Sequence, residues 1–180
     1  MNNDKIFFNN YFSDLTNKII SVDLKKLEKF KQLIKQTNKN KNKVIIVGNG
    51  GSAAMASHVS VDLTKVAKVR CINFNESDLI TCFANDYGYE NWVSKSLEAY
   101  ADKNDLVILI SSSGTSKNII KAAKKALEMK LKLVTFSGFK KNNKLNQYGN
   151  LNFWVNSASY NKVEMTHHIW LLALVDLLAE

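Results

Sequence analysis

The sequence predicts an α/β protein with a parallel β-sheet that is covered by helices on both faces. Three observations support this: short runs of consecutive apolar residues, helical segments that alternate with them, and glycine- or serine-rich turns that follow two of the runs. Strands that are apolar throughout are typical of parallel sheets, because such sheets are buried between two layers of helices. The five apolar runs occupy residues 44–47, 69–74, 106–110, 131–136 and 151–155.

The segment before the first run, residues 1–40, is predicted to be a helical N-terminal extension. Its apolar residues recur at three- and four-residue steps in two separate stretches, which is the period of an amphipathic helix. Asp23 stands between the stretches, where it is suited to cap the second helix. The α/β core then occupies residues 43–180, and we expect a single domain over residues 1–180.

The composition excludes several classes of protein. Hydrophobic residues make up 46% of the 180 positions and charged residues 23%, which is typical of a globular chain rather than a disordered one. No run approaches the roughly 18 apolar residues of a membrane span, and we expect neither a membrane span nor a signal peptide. The two cysteines, Cys71 and Cys82, form no disulfide framework, which favours a cytoplasmic protein.

The net charge of +9 does not by itself predict a nucleic-acid partner. Of the 25 basic residues, only Arg70 is an arginine. Bidentate recognition of phosphates and base edges favours arginine over lysine. The lysine runs also fall between the periodic segments, as in solvated loops, so nucleic-acid binding is not expected.

Two polar turns carry the strongest functional signal. Gly48-Asn49-Gly50-Gly51-Ser52 follows the first apolar run, and residues 111–116 follow the third, just before a helix predicted over residues 117–129. Ligands of open α/β sheets bind at this edge, where a helix N-terminus offers unpaired N–H groups to an anion. Each turn alone could be a capped tight turn, but together they predict an anionic ligand. Neither turn has the spacing of a nucleotide-binding motif, so no nucleotide cofactor is expected.

Three segments resemble the SIS (sugar isomerase) domain family and, within it, the phosphoheptose isomerases, which convert sedoheptulose 7-phosphate to a heptose 7-phosphate. In this chain they read VIIVGNGGSAAMASH, CFANDYGYEN and ILISSSGTSKNIIKA. The resemblance implies a doubly wound five-stranded parallel sheet. It also implies a homotetramer with sites shared between subunits, to which residues 1–40 contribute.

The resemblance also assigns the residues that bind a phosphorylated sugar. The phosphate would be held by Ser111, Ser112, Ser113 and Ser116, and the sugar by Asn49, Gly50, Gly51, Ser52, Asn85 and Asp86. Serines suffice here because N–H groups and the helix dipole supply the positive potential.

The catalytic positions of the family are only partly retained. Isomerisation through an enediol needs a base and an acid. The family uses a Glu on the first core helix, and a Gln and a His on the last helix, which is predicted over residues 161–178. These positions hold Asp62, Glu164 and Leu172 in this chain, and Leu172 cannot transfer a proton. An Arg and an Asp of the family are replaced by Val66 and Asn161.

Another histidine on the last helix offers a replacement for the lost one. Glu164 and His168 are four residues apart, as are His58 and Asp62, so each pair shares one helix face. We predict Asp62 or Glu164 as the base and His168 as the acid. The same four residues are predicted to form a tetrahedral site for zinc or another divalent metal. The alternative is that His167 and His168 are inert core or interface histidines.

Two functions therefore remain open. The first is a phosphosugar isomerase, which the serine turn and the retained acid and base residue types favour. The second is a catalytically silent phosphosugar-binding sensor or tetrameric adaptor, which Leu172, Val66 and Asn161 favour. The environment of His168 separates them. A His168 that points towards the serine turn of a neighbouring subunit would favour the enzyme, and a His168 buried among apolar side chains would favour the adaptor.

Overall fold

The structure, a computed structural model, describes residues 3–180 and contains a five-stranded parallel β-sheet. The strands are β1 (Val44–Val47), β2 (Cys71–Ile72), β3 (Leu106–Ser111), β4 (Lys132–Ser137) and β5 (Leu151–Trp154). They lie in the order β2–β1–β3–β4–β5, with every neighbouring pair parallel. The predicted doubly wound parallel sheet is confirmed.

Helices cover both faces of this sheet. They are α1 (Asn3–Ile20), α2 (Leu24–Lys39), α3 (Gly51–Lys65), α4 (Ser77–Tyr87), α5 (Trp92–Tyr100), α6 (Lys117–Glu128) and α7 (Tyr160–Ala179), with a 3₁₀ turn at Leu145–Gln147. Within residues 3–180, none of the helices has the length and apolar content needed to cross a membrane.

The strands contribute to two separate hydrophobic layers because their side chains alternate between the faces of the sheet. In β1, Val44 and Ile46 pack with residues of α2, α3 and α7, whereas Ile45 and Val47 pack with residues of α5 and α6. All four side chains are fully buried. This double burial explains why the strand is an unbroken apolar run.

The connections leave β1 and β3 in opposite directions, which creates a switch point between these two strands. The chain passes from β1 outward to β2 and from β3 outward to β4, while β1 and β3 pair directly, with Val47 opposite Leu109. The turns that follow β1 and β3 therefore lie side by side at the carboxyl edge. Ligands of doubly wound sheets bind at such a point.

The helical extension packs against the last helix of the core. The indole Nε1 of Trp170 in α7 donates to the carbonyl of Ile19 over 2.8 Å. The predicted cap is also present, since the Asp23 side chain accepts from the backbone N–H groups of Lys25 and Lys26 at the start of α2. Helix α1 has no buried residue, so most of its apolar side chains remain uncovered in the single chain.

Candidate active site

The serine turn lies between the end of β3 and the start of α6. Gly114 N–H donates to the carbonyl of Ser111 over 2.9 Å, which closes the turn, and the hydroxyl of Ser111 donates to that of Ser116 over 3.0 Å. The first N–H groups of α6 have no partner within the helix. The turn thus brings hydroxyls and amide donors together at the positive end of a helix.

A small cavity of about 100 Å³ connects the two turns. It is lined by Asn49, Ser52, Ile110, Ser111, Ser112, Ser113, Ser116, Tyr160 and Glu164. The structure therefore brings all four predicted serines together with two predicted residues of the glycine turn. Tyr160, the first residue of α7, also lines the cavity. It was not among the predicted site residues, because no motif in the sequence includes it.

Among the described residues that line this cavity, Glu164 is the only carboxylate. Its Oε1 accepts from the hydroxyl of Ser112 over 3.3 Å. Its carboxylate also lies so close to Gly51, in the first turn of α3, that a Cβ on that residue would overlap it. The neighbouring Gly50 caps α3 with a φ of 54°. The glycine turn therefore makes room for an acidic side chain beside the serine turn.

A pair of asparagines joins the two turns. Asn49 Nδ2 donates to Asn118 Oδ1 over 2.9 Å, and Asn118 Nδ2 donates to Asn49 Oδ1 over 2.8 Å. The hydroxyl of Tyr89 donates to the same Asn49 oxygen over 3.3 Å. Asn118 was not among the predicted site residues, because a polar residue in the first turn of a helix carries no distinctive signal.

The second group of predicted residues forms a chain from α7 to α3. His168 Nε2 lies 3.0 Å from His58 Nδ1, and His58 Nε2 lies 3.1 Å from Asp62 Oδ2. Burial, with His58 adding to it, lowers the pKa of His168 below its usual value. His168 is partly exposed and hydrogen-bonded rather than buried among apolar side chains. The burial among apolar side chains that would favour the adaptor is therefore not found at His168 in the single chain.

The predicted four-residue metal site is not assembled in this geometry. Within residues 3–180, no group of three or more His, Cys, Asp and Glu side chains is arranged to hold a metal ion. The physical reason is that Glu164 contacts Ser112, while the two nitrogens of His58 face His168 and Asp62. In this geometry the side chains of His58, Asp62, Glu164 and His168 do not converge on one point, as the ligands of a zinc ion do.

Asn85 and Asp86 lie apart from the serine cavity of the same chain. Both are exposed near the end of α4, where Asn85 Nδ2 donates to Asp86 Oδ1 over 3.0 Å. Neither residue lines the cavity between the turns. Their predicted role in sugar binding therefore depends on a site shared between subunits.

His167, the neighbour of His168, is a buried core residue. Its Nε2 donates to the carbonyl of Ser137 over 3.1 Å, at the end of β4. Its ring packs against Phe136 and Trp170. Burial lowers the pKa of His167 from 6.5 to about 4. Of the two histidines that could be core residues, His167 is therefore in the core, and His168 is partly exposed.

We expect His167 to make the protein less stable in acid. Its folded-state pKa is below its unfolded value, so the contribution to stability is complete above about pH 6.5 and declines as the pH falls towards 4. Between pH 7.5 and 4.5, His167 should account for a loss of about 2 to 3 kcal/mol in the free energy of unfolding. Urea unfolding at both pH values measures this loss. His167→Gln replaces the imidazole N–H donor with an amide N–H that does not titrate, so its pH dependence should be smaller by that amount. An equal dependence in both proteins would contradict the prediction.

The fold, the switch point and the serine turn together define an SIS domain, and the family model for the SIS domain matches residues 7–138. The phosphoheptose isomerase of Aliarcobacter butzleri (strain RM4018) is 34% identical over 156 residues, which cover 83% of this chain and 82% of that relative. The phosphoheptose isomerase of Campylobacter concisus (strain 13826) is 35% identical over 142 residues, which cover 76% of this chain and 75% of that relative. The chain belongs to the phosphoheptose isomerase family of SIS-domain proteins.

A solved structure supports the same fold. The phosphoheptose isomerase of Neisseria gonorrhoeae superposes with a TM-score of 0.89 over 97% of both chains, at 22% sequence identity. At this identity the likeness supports the architecture alone and says nothing about individual side chains.

Proposed function

We propose that the protein is a phosphosugar isomerase that interconverts a ketose phosphate and an aldose phosphate of six or seven carbons. Sedoheptulose 7-phosphate, the substrate that the family resemblance implies, is the first candidate. The observation that carries this proposal is the cavity that the four serines of the serine turn line together with a carboxylate, Glu164. The serine turn would bind the phosphate, and the carboxylate would act on the sugar.

Glu164 is better placed than Asp62 to act as the base. Glu164 lines the serine cavity, whereas Asp62 is paired with His58. In the proposed reaction, Glu164 takes the proton from the carbon next to the carbonyl. His168, one helical turn further along α7 and outside the cavity lining, protonates the carbonyl oxygen of a sugar that extends past Glu164, to give an enediol. The second hydroxyl of the enediol, on the carbon that lost its proton, then loses its own proton and becomes the new carbonyl. Return of a proton to the former carbonyl carbon completes the interconversion. His58 and Asp62 hold the ring of His168 in place.

Turnover assays test this function. The protein is incubated with sedoheptulose 7-phosphate and with six-carbon ketose and aldose phosphates, and the products are followed by NMR. Unphosphorylated sedoheptulose is the matched control, which we expect not to react, because the serine turn would have no anion to bind. Absence of turnover with every phosphosugar would overturn the isomerase. Calorimetric binding of the same phosphosugars without turnover would instead support a silent sensor or adaptor.

We also propose that the protein works as a homotetramer with shared sites. Helix α1 leaves Phe7, Phe8 and Phe12 exposed by 61%, 53% and 58%. A cluster of exposed aromatic side chains is typical of a protein–protein interface. Assembly through this face would cover the aromatic cluster and would allow Asn85 and Asp86 of one subunit to approach the cavity of another.

Replacing aromatic residues of α1 should therefore weaken the assembly. We expect the wild-type protein to have the mass of four chains of 20.3 kDa each, and the double variant Phe8→Ser, Phe12→Ser to shift towards smaller species. Light scattering after size exclusion measures both masses. Asn10→Ser, at an exposed polar position of the same helix, is the control and should remain tetrameric. A monomeric wild-type protein would contradict the proposal.

The compartment that we propose is the cytoplasm. Cys71 is buried and Cys82 exposed, and both are free thiols. Free thiols are maintained in a reducing environment, where sugar phosphates are also handled.

A further inference from the structure

The asparagine pair that joins the two turns limits what Asn49 can offer to a ligand. A carboxamide has two N–H donors on nitrogen and two acceptor positions on oxygen. Asn49 Oδ1 accepts from both Asn118 and Tyr89, which uses both acceptor positions. Asn49 Nδ2 donates to Asn118 and retains one further N–H. A sugar that binds beside Asn49 therefore meets a hydrogen-bond donor.

Asn49 lies where such a donor would face the substrate. It lines the serine cavity together with Glu164. It also lines a wider adjoining cavity of about 450 Å³ together with Tyr89, Ser116 and Lys117. A phosphosugar held by the serine turn would extend along Asn49 towards one of these spaces.

We propose that Asn49 donates a hydrogen bond to the substrate oxygen that becomes negatively charged during isomerisation. Asn118 and Tyr89 are positioning residues, because their hydrogen bonds to Asn49 hold its amide in the orientation that leaves an N–H for the substrate. This inference rests on the proposed isomerase function. When the proton leaves the carbon next to the carbonyl, negative charge accumulates on the carbonyl oxygen. A donor that is already oriented stabilises that charge without reorganising in the transition state.

The surroundings of Asn118 support a positioning role. Asn118 is 2% exposed, and it stands in the first turn of α6, two residues after Ser116. Its two hydrogen bonds to Asn49 connect the turn that follows β1 to the turn that follows β3. The pair thus fixes the donor relative to the serines that would hold the phosphate.

The experiment compares substitutions that change donors and acceptors but preserve shape. Asn49→Asp replaces the amide with a group that accepts only, and it should lower kcat by about 10²- to 10³-fold with little change in KM. Tyr89→Phe removes one hydrogen bond to Asn49, and Asn118→Asp removes the donor to Asn49 Oδ1. Each should lower kcat by roughly 3- to 10-fold at unchanged KM. Tyr100→Phe, which removes the hydroxyl of a tyrosine in α5, is the control and should match the wild type.

Calorimetry with a sugar-alcohol phosphate, which has no carbonyl, separates this role from a structural one. Its affinity should be the same in the wild type, Tyr89→Phe and Asn118→Asp. The inference would be overturned if Asn49→Asp had the kcat of the wild type. It would also be overturned if kcat and the affinity for the alcohol phosphate fell in parallel in all three site variants. Either result would leave the isomerase function standing. Absence of turnover by the wild type itself would overturn the proposed function and this role together.

Discussion

Replacing His168 with Asn should lower kcat by about 10²- to 10⁴-fold, the range expected when a proton-transfer group is removed. Asn can still donate a hydrogen bond towards His58, but it cannot exchange a proton at neutral pH. KM should change little, because in the proposed function the phosphate would be bound by the serine turn rather than by α7. Steady-state kinetics with the best phosphosugar substrate measures both constants.

The adjacent histidine provides a matched control for this experiment. His167→Gln alters a buried residue that hydrogen-bonds to Ser137, and it should reduce stability without lowering kcat by more than a few fold. A similar loss of kcat in the two variants would show that disturbance of α7, rather than chemistry at His168, causes the effect. Retention of full activity in His168→Asn would show that another group transfers the proton.

The sheet could be predicted from the sequence because each central strand is apolar on both faces. The predicted run 44–47 coincides with β1, and the run 106–110 lies within β3. The second run was predicted over residues 69–74, but only Cys71 and Ile72 pair with β1. This strand is at the edge of the sheet, with a partner on one side only. Val69 and Phe74, at the ends of the predicted run, are buried without pairing, so an apolar run indicates burial rather than the length of the ladder.

The two turns could be predicted from the sequence, but the contacts of the predicted catalytic side chains could not. Turns that follow neighbouring parallel strands must meet at one edge, so local sequence was sufficient to place them together. The four-residue spacing of Glu164 and His168 correctly places both on one face of α7. Spacing cannot show that Glu164 contacts Ser112 while His168 contacts His58. Those contacts depend on how α7 packs against α3 and the serine turn, which is a property of the tertiary structure.

Gly114→Ala should be the most damaging single-methyl change in the serine turn. Gly114 has a φ of 67°, which strains any other residue. A Cβ there would also overlap Oδ1 and Cγ of Asn143 and lie 2.7 Å from its Cβ. Asn143 is 5% exposed and cannot move freely, because its Nδ2 donates to Ser137 Oγ over 3.0 Å and its Oδ1 accepts from Asn146 N–H over 3.0 Å.

Gly88→Ala provides a control that has the backbone strain without the overlap. Gly88 has a φ of 82°, and the nearest atom to a Cβ there, Asn91 Nδ2, is 3.9 Å away. The control should lose about 1 to 3 kcal/mol of unfolding free energy from strain alone. Gly114→Ala should lose roughly 1 to 3 kcal/mol more, the usual cost of overpacking a buried site. Urea unfolding measures both losses, and equal losses would contradict a role for Asn143.

The same methyl group should also weaken phosphosugar binding, because relief of the overlap requires the serine turn to move. Gly114 N–H closes the turn on Ser111, and its carbonyl accepts from Leu145 N–H over 3.0 Å, so a shift here displaces the hydroxyls that would hold the phosphate. We expect calorimetric affinity for the phosphosugar to fall by at least about tenfold, which corresponds to the loss of one or two hydrogen bonds. In the Asn143→Ala background, where the two nearest atoms are gone, Gly114→Ala should cost less in both stability and affinity. If the cost were unchanged in that background, the damage would come from the backbone strain of Gly114 rather than from its contact with Asn143.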